Sequence, residues 1–156
     1  MPATPLSRDL LEAILQDRLS DRFVCELVWQ RLGYRPGNGA AASERVPWHA
    51  GPDTPPEWAE ACPRAPEIIA ERPAAVRLTR SIPPPHKQLL KEQLGFGGYR
   101  IGELYPRRTR RATAVNWLLA DLAVRGESLP EHGPLPPLLE PPADPEAGPP
   151  GEPPVG

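Results

Sequence analysis

Apolar residues recur at helical spacing in several stretches of the chain. Near the start, Leu10/Leu11 with Ile14/Leu15, then Phe23/Val24 with Leu27/Val28, each draw one stripe of i,i+4 pairs. The two stretches echo one another. Each opens on Leu-Ser (Leu6-Ser7, Leu19-Ser20), which places a serine to cap the first turn and a leucine to staple against the apolar residue at N4, Leu11 or Val24. Gly33 follows as a natural stop. The pattern predicts a helix hairpin over 6–33. Cys25, Trp29 and Leu32 fall on the far side of the second helix and are expected to meet another layer of the fold.

Farther on, Leu89, Leu90 and Leu94 predict a helix over Pro84–Leu94 with Lys87 and Lys91 outward, ended by Gly95. Pro106–Val124 is the longest predicted helix, with Ala112, Val115, Leu119 and Leu122 as its buried stripe. Between these, Pro66–Glu71 can form a turn or two of helix, and Tyr99–Leu104 reads as extended. Val76, Leu78, Arg80 and Ile82 alternate like a strand, while Ala75, Leu78 and Ile82 fit a helix, so 74–82 stays ambiguous. Residues 34–63 read as a linker with a turn at Pro36-Gly37-Asn38-Gly39, pinned to the core by Trp48 and Trp58.

Proline and glycine then bound the folded part. Residues 127–156 are rich in Pro, Gly and Glu with few bulky side chains, and predict a disordered acidic tail that cannot bury enough surface to offset its ordering entropy. The expected organisation is a disordered 1–5, one domain over 6–126 (hairpin 6–33, linker 34–63, basic helical part 64–126), and the tail. The fold class is mainly α, a compact small helical domain with room for one short strand pair.

The net charge of −2 conceals a segregation. Residues 1–71 carry seven Lys/Arg against eleven Asp/Glu, residues 72–111 ten against two, and residues 112–156 one against seven. Arg107, Arg108, Arg110 and Arg111 crowd the first turns of the long helix, where the helix dipole and an i,i+4 pair of like charges both oppose them. Two compensations are open: carboxylates of the N-terminal helices or Glu103, or an external anion. Trp117 projects opposite the stripe, in line with Arg110. A covering element or an exposed Arg–Trp pair would each account for it.

Chemistry-bearing motifs are scarce. GFGGYRIG follows a helix rather than a strand and lacks the third glycine of a dinucleotide loop, so it reads as a helix stop and reversal. The acidic second helix argues against a DNA-reading helix-turn-helix. Cys25 and Cys62 form no metal or redox motif, and His49, His86 and His132 lie in loop or proline-rich contexts. No nucleophile, acid–base pair or ligand cluster converges, so the expectation is a protein that is not an enzyme and needs no cofactor or metal. Apolar runs of four residues or fewer predict no membrane span, and the start of the chain has no secretory pattern, which fits a cytoplasmic protein.

Together LVWQRLGY, VRLTRSI, KQLLKEQLGFGGYRIGEL and PRRTRRATAVNWLL resemble the domain-of-unknown-function family DUF1823, found in small cyanobacterial proteins with plastid relatives. The resemblance spans roughly residues 6–122 and implies a phototroph lineage but no activity, so it transfers no catalytic residue. The expected function is therefore an interaction or assembly factor. Its expected partner is an acidic protein surface, bound by Arg100, Arg107, Arg108, Arg110, Arg111, Trp117, Lys87 and Lys91. The alternative is a nucleic-acid-binding module on the same surface, with Trp117 stacking a base.

Overall fold

The computed structural model describes residues 3–37 and 46–156. The glycine-rich turn expected at 38–39 and the first two residues of the expected N-terminal disorder lie outside them. Six helices follow in order: α1 Arg8–Leu15, α2 Asp21–Arg31, α3 Pro56–Ala61, α4 Arg72–Ser81, α5 Leu89–Leu94 and α6 Pro106–Arg125. One antiparallel pair, β1 Arg35–Pro36 with β2 Trp48–His49, lies between α2 and α3. Among the described residues no helix is long and apolar enough to cross a membrane.

The hairpin forms as its caps dictate. Ser7 Oγ accepts from Leu10 N and Ser20 Oγ from Phe23 N, each at 3.1 Å, and Leu6, Leu11, Leu19 and Val24 are buried. α2 ends with Gly33 at φ +80, Gly33 N donating to Gln30 O and Tyr34 N to Trp29 O. α1 ends in the same way, Asp17 N donating to Ile14 O and Arg18 N to Ala13 O, but the left-handed residue is Asp17, at φ +62.

α6 is the axis. α1, α2, α4 and α5 all pack on it, so it is buried nearly all round: Val115, Leu118, Leu119 and Leu122 on one side, Ala114 and Trp117 on another. The second layer expected over α2 is present, since Trp29 Nε1 donates to Pro66 O at 2.8 Å and Cys25 is buried. Burial pushes the Cys25 thiol up to about 12, which keeps it protonated and unreactive. Trp48 and Trp58 anchor the linker as expected, Trp48 tilted 5.6 Å from Trp29.

The stretch 74–82, open between strand and helix in the sequence, is helical as far as Ser81 within α4: Pro73 sits in its first turn, and Ala74, Ala75 and Leu78 turn inward together at helical spacing. Three local expectations need correction. Pro66–Glu71 holds a turn at 68–70 rather than a helix, and Tyr99–Leu104 contains a 3-10 turn at Ile101–Glu103. The single helix expected over Pro84–Leu94 is a 3-10 turn, Pro84–His86, and a separate α5. The Asn116 side chain accounts for that break: its Oδ1 accepts from Leu90 N and its Nδ2 donates to Lys87 O, each at 3.0 Å, replacing the backbone bonds an unbroken helix would make.

The tail expected to be disordered lies along the domain as a strap. Arg8 N and Asp9 N, free donors of the first turn of α1, donate to Pro130 O and Glu131 O. Leu139 N donates to Arg18 O, Glu152 Oε1 accepts from Arg22 N in the first turn of α2, and Gly156 N donates to Ala70 O. The composition argument still holds in part: no residue of 127–156 is buried. Apart from Leu129, half-buried against the edge of the core, the strap is held by polar contacts.

Candidate functional site

Pro106 starts α6 and Arg107 and Arg111 follow one turn apart, facing the corner between α1 and α2. Asp17 and Asp21 stand at that corner with the same spacing of four. Arg107 grips Asp17 with both terminal nitrogens, 2.7 Å from Oδ1 and from Oδ2, while its Nε is 2.9 Å from Asp21 Oδ2. Arg111 Nη1 is 2.7 Å from Asp21 Oδ1, and its Nη2 donates to Ile14 O (3.0 Å) and Leu19 O (2.8 Å). The four side chains are buried, their charges cancel, and among the described residues no buried side-chain nitrogen or oxygen lacks a partner.

Burial alone would raise the Asp17 carboxyl. The Arg107 hydrogen bonds, with the charges of Arg111 and Arg107 and a weaker contact from Arg108, outweigh it and hold the group below its usual range. Burial likewise disfavours the Arg107 cation, but its bonds to Asp17 and Asp21 raise its pKa. The network is an internal lock and not a binding surface. The binding role expected of Arg107 and Arg111 is therefore corrected: they spend their donors on the N-terminal hairpin, the internal compensation that the sequence left open.

Trp117 is corrected on the same ground. α4 covers its face, its ring is buried, and Nε1 donates to Ser81 Oγ at 3.0 Å, so no base or partner side chain can stack on it. Arg110, beside it, is also largely buried and sends Nη1 to the carbonyls of Ile69 (3.0 Å) and Ala70 (3.2 Å). Those acceptors are neutral. Burial, and then the neighbouring Arg72 charge, lower the Arg110 pKa. Arg108 is half-buried, 3.4 Å from Asp17 Oδ2 and set against the Tyr99 and Tyr105 rings. Lys87, Lys91 and Arg100 are exposed as expected.

Two clefts flank the outer ridge of α6 formed by Thr109 and Thr113. The larger, about 710 Å³, runs between α4 and α6 and takes Arg72 and Arg80 on one wall and Arg110 on the other, with Val76 and Leu104 among its apolar lining. The smaller, about 320 Å³, lies toward α5 and takes Lys87 and Lys91. Neither lining includes a carboxylate, histidine or cysteine. Among the described residues no group of three or more His, Cys, Asp or Glu could hold a metal ion. The sequence does not show the contribution of α4, through Arg72, Val76 and Arg80, because 74–82 fits a strand and a helix alike.

A helical protein with one axial helix, an internal arginine–aspartate lock and a cationic outer face is the class that fold and site define. The chain belongs to the family described as Domain of unknown function (DUF1823), whose model matches residues 5–123. It is also similar to a protein solved as a solution NMR structure, at 48% identity and a TM-score of 0.65, over 81% of this chain and 100% of that one. No curated protein matches it.

Proposed function

We propose that the chain is a non-catalytic interaction or assembly factor that binds an acidic protein partner through the outer face of α4, α5 and α6, in the cytoplasm of a cyanobacterial-type cell. One observation carries the reading. The two clefts either side of Thr109 and Thr113 present Arg72, Arg80, Arg110, Lys87 and Lys91 with no carboxylate in either lining. Cations left without local counterions attract an anionic surface, speed its approach and reject like-charged competitors. Arg100 is exposed and adds the same sign of charge, whereas Arg108 is paired with Asp17 and the residues expected to bind on the inner side of α6 do not contribute. A lining of cations, threonines and apolar carbons suits a partner better than a reacting substrate.

The test uses two defined probes, a glutamate-rich peptide and a mixed-sequence oligonucleotide, titrated into the full chain at low and moderate salt. The peptide is expected to bind, more weakly as salt screens the face, and charge reversal of Lys87, Lys91 and Arg80 to Glu is expected to abolish binding. Oligonucleotide binding with a log–log salt slope of roughly −3 or steeper, in place of peptide binding, would instead make the chain a nucleic-acid module.

A further inference from the structure

We infer that the groove between α4 and α6 is a docking cleft for an amphipathic helix of the partner, apolar on the face it buries and flanked by Asp or Glu. The inference rests on the acidic-partner reading and adds the mode and place of binding.

Shape comes first. α4 and α5 cover the two flanks of α6 and leave the Thr109–Thr113 ridge uncovered beside a groove of about 710 Å³. Thr109 and Thr113 are one turn apart and short, so a third helix can approach to the usual interaxial distance of about 8–10 Å. Main-chain recognition by an added strand is disfavoured. The walls are helices with their backbone groups already bonded, and Thr113 Oγ1 is turned back onto Thr109 O at 3.1 Å.

Apolar exposure comes second. Val76 and Ala75 line the α4 wall, and Leu104, 55% exposed, lines the groove as well. Large aliphatic side chains left in water beside an apolar groove mark a surface that another chain covers.

Charge is third, and it chooses the occupant. Arg72 and Arg80 are eight residues apart on α4, about 12 Å along the axis at 1.5 Å per residue. That span matches carboxylates two turns apart on a partner helix. Arg110 closes the opposite wall, its guanidinium held in place by the Ile69 and Ala70 carbonyls, so little side-chain entropy remains to be lost on binding. A basic helix would meet three uncompensated arginines, and a nucleic acid would find an apolar lining whose one aromatic ring, Tyr105, is half-buried against Arg108.

A displayed library of randomised helical peptides of about 18 residues, selected on the full chain, tests this. The expected winners carry an apolar i, i+4 stripe with flanking Asp/Glu. Their affinity is expected to fall about tenfold or more with Val76→Glu and with Arg72→Ala plus Arg80→Ala together, a loss of about 1.4 kcal/mol or more. Lys87→Ala plus Lys91→Ala should change it less than about twofold, since those lysines line the other cleft. The altered side chains are not buried, and an unchanged denaturant midpoint confirms the fold of each variant. Acidic winners that depend on Lys87 and Lys91 but not on Val76 would overturn the groove while leaving the acidic-partner reading intact. Basic or uncharged winners, or no enrichment, would overturn both. Competition for the same variants by a mixed oligonucleotide stronger than by the winners would assign the groove to nucleic acid and overturn the helix.

Discussion

Arg107 and Asp17 meet end to end, two nitrogens on two oxygens at 2.7 Å, and the carboxylate that makes this contact stands on a backbone in the left-handed conformation. The C′ position of a helix usually takes glycine, because a Cβ there costs about 1–2 kcal/mol. Asp17 accepts that strain because the same turn aims its side chain at the start of α6. Asp21 then sits one turn on, at the first residue of α2, where the helix dipole favours a carboxylate. The corner between two short helices thus becomes the socket for two arginines of the third.

Substitution at Asp17 separates strain from charge. Asp17→Ala keeps the strained backbone and leaves the buried cluster one carboxylate short, with Arg107 held by Asp21 alone, so a loss of about 3–5 kcal/mol is expected. Asp17→Gly removes the same carboxylate but relaxes the turn, and should be more stable than the alanine variant by about 1 kcal/mol. Identical midpoints for the two would show that the turn is not strained.

Acid should undo the lock. Asp17 ionises below its ordinary value of 3.8 in the folded state, so its contribution is fully present above about pH 4 and is lost as pH falls through the folded pKa. Stability of the parent and of Asp17→Asn, measured by urea unfolding from pH 7 to pH 2, should differ most at neutral pH and converge in acid. A gap that persists undiminished at pH 2 would mean that charge on Asp17 is not what holds Arg107.

The strap gives a third expectation. Pro145 O accepts from Arg107 Nη1, and Gly148 lies against the same guanidinium at φ +79, where an added Cβ would collide with it. Arg107 is fixed by two aspartates, so the strap rather than the arginine must yield. Gly148→Ala should therefore loosen the strap, and removing residues 130–156 should lower stability by about 1–3 kcal/mol by uncapping α1 and α2. Unchanged amide-exchange protection at Arg8, Asp9 and Arg22 in the shortened chain would show that the strap caps neither helix.

Much of this architecture was legible in local sequence. Ser7 and Ser20 cap where their spacing places them, Gly33 and Gly95 end helices at positive φ, and Trp48 and Trp58 hold the linker. The inward arginines were not, although Arg107 and Arg111 continue the Val115, Leu118, Leu122 stripe backward in steps of four. Periodicity pointed inward, but the charge of the side chain pointed to solvent, and only the distant Asp17–Asp21 pair resolves that conflict. Trp117, for which a covering element and an exposed Arg–Trp pair are both open in the sequence, is decided by packing. A one-stripe reading suits a helix with one neighbouring layer, and α6 has neighbours on nearly every side. The strap shows the limit of composition, which reports the absence of a core but not backbone bonds to helix ends.

The arginines of residues 72–111 divide into inward ones that hold the fold and outward ones left for a partner. Denaturant unfolding of Arg107→Ala beside Arg80→Ala tests this division most directly. Arg107→Ala leaves Asp17 buried without its main counterion and is expected to cost about 3–5 kcal/mol, whereas Arg80→Ala, on the exposed wall of the groove, should stay within about 0.5 kcal/mol of the parent. Comparable losses at the two positions, or a neutral Arg107→Ala, would contradict the division.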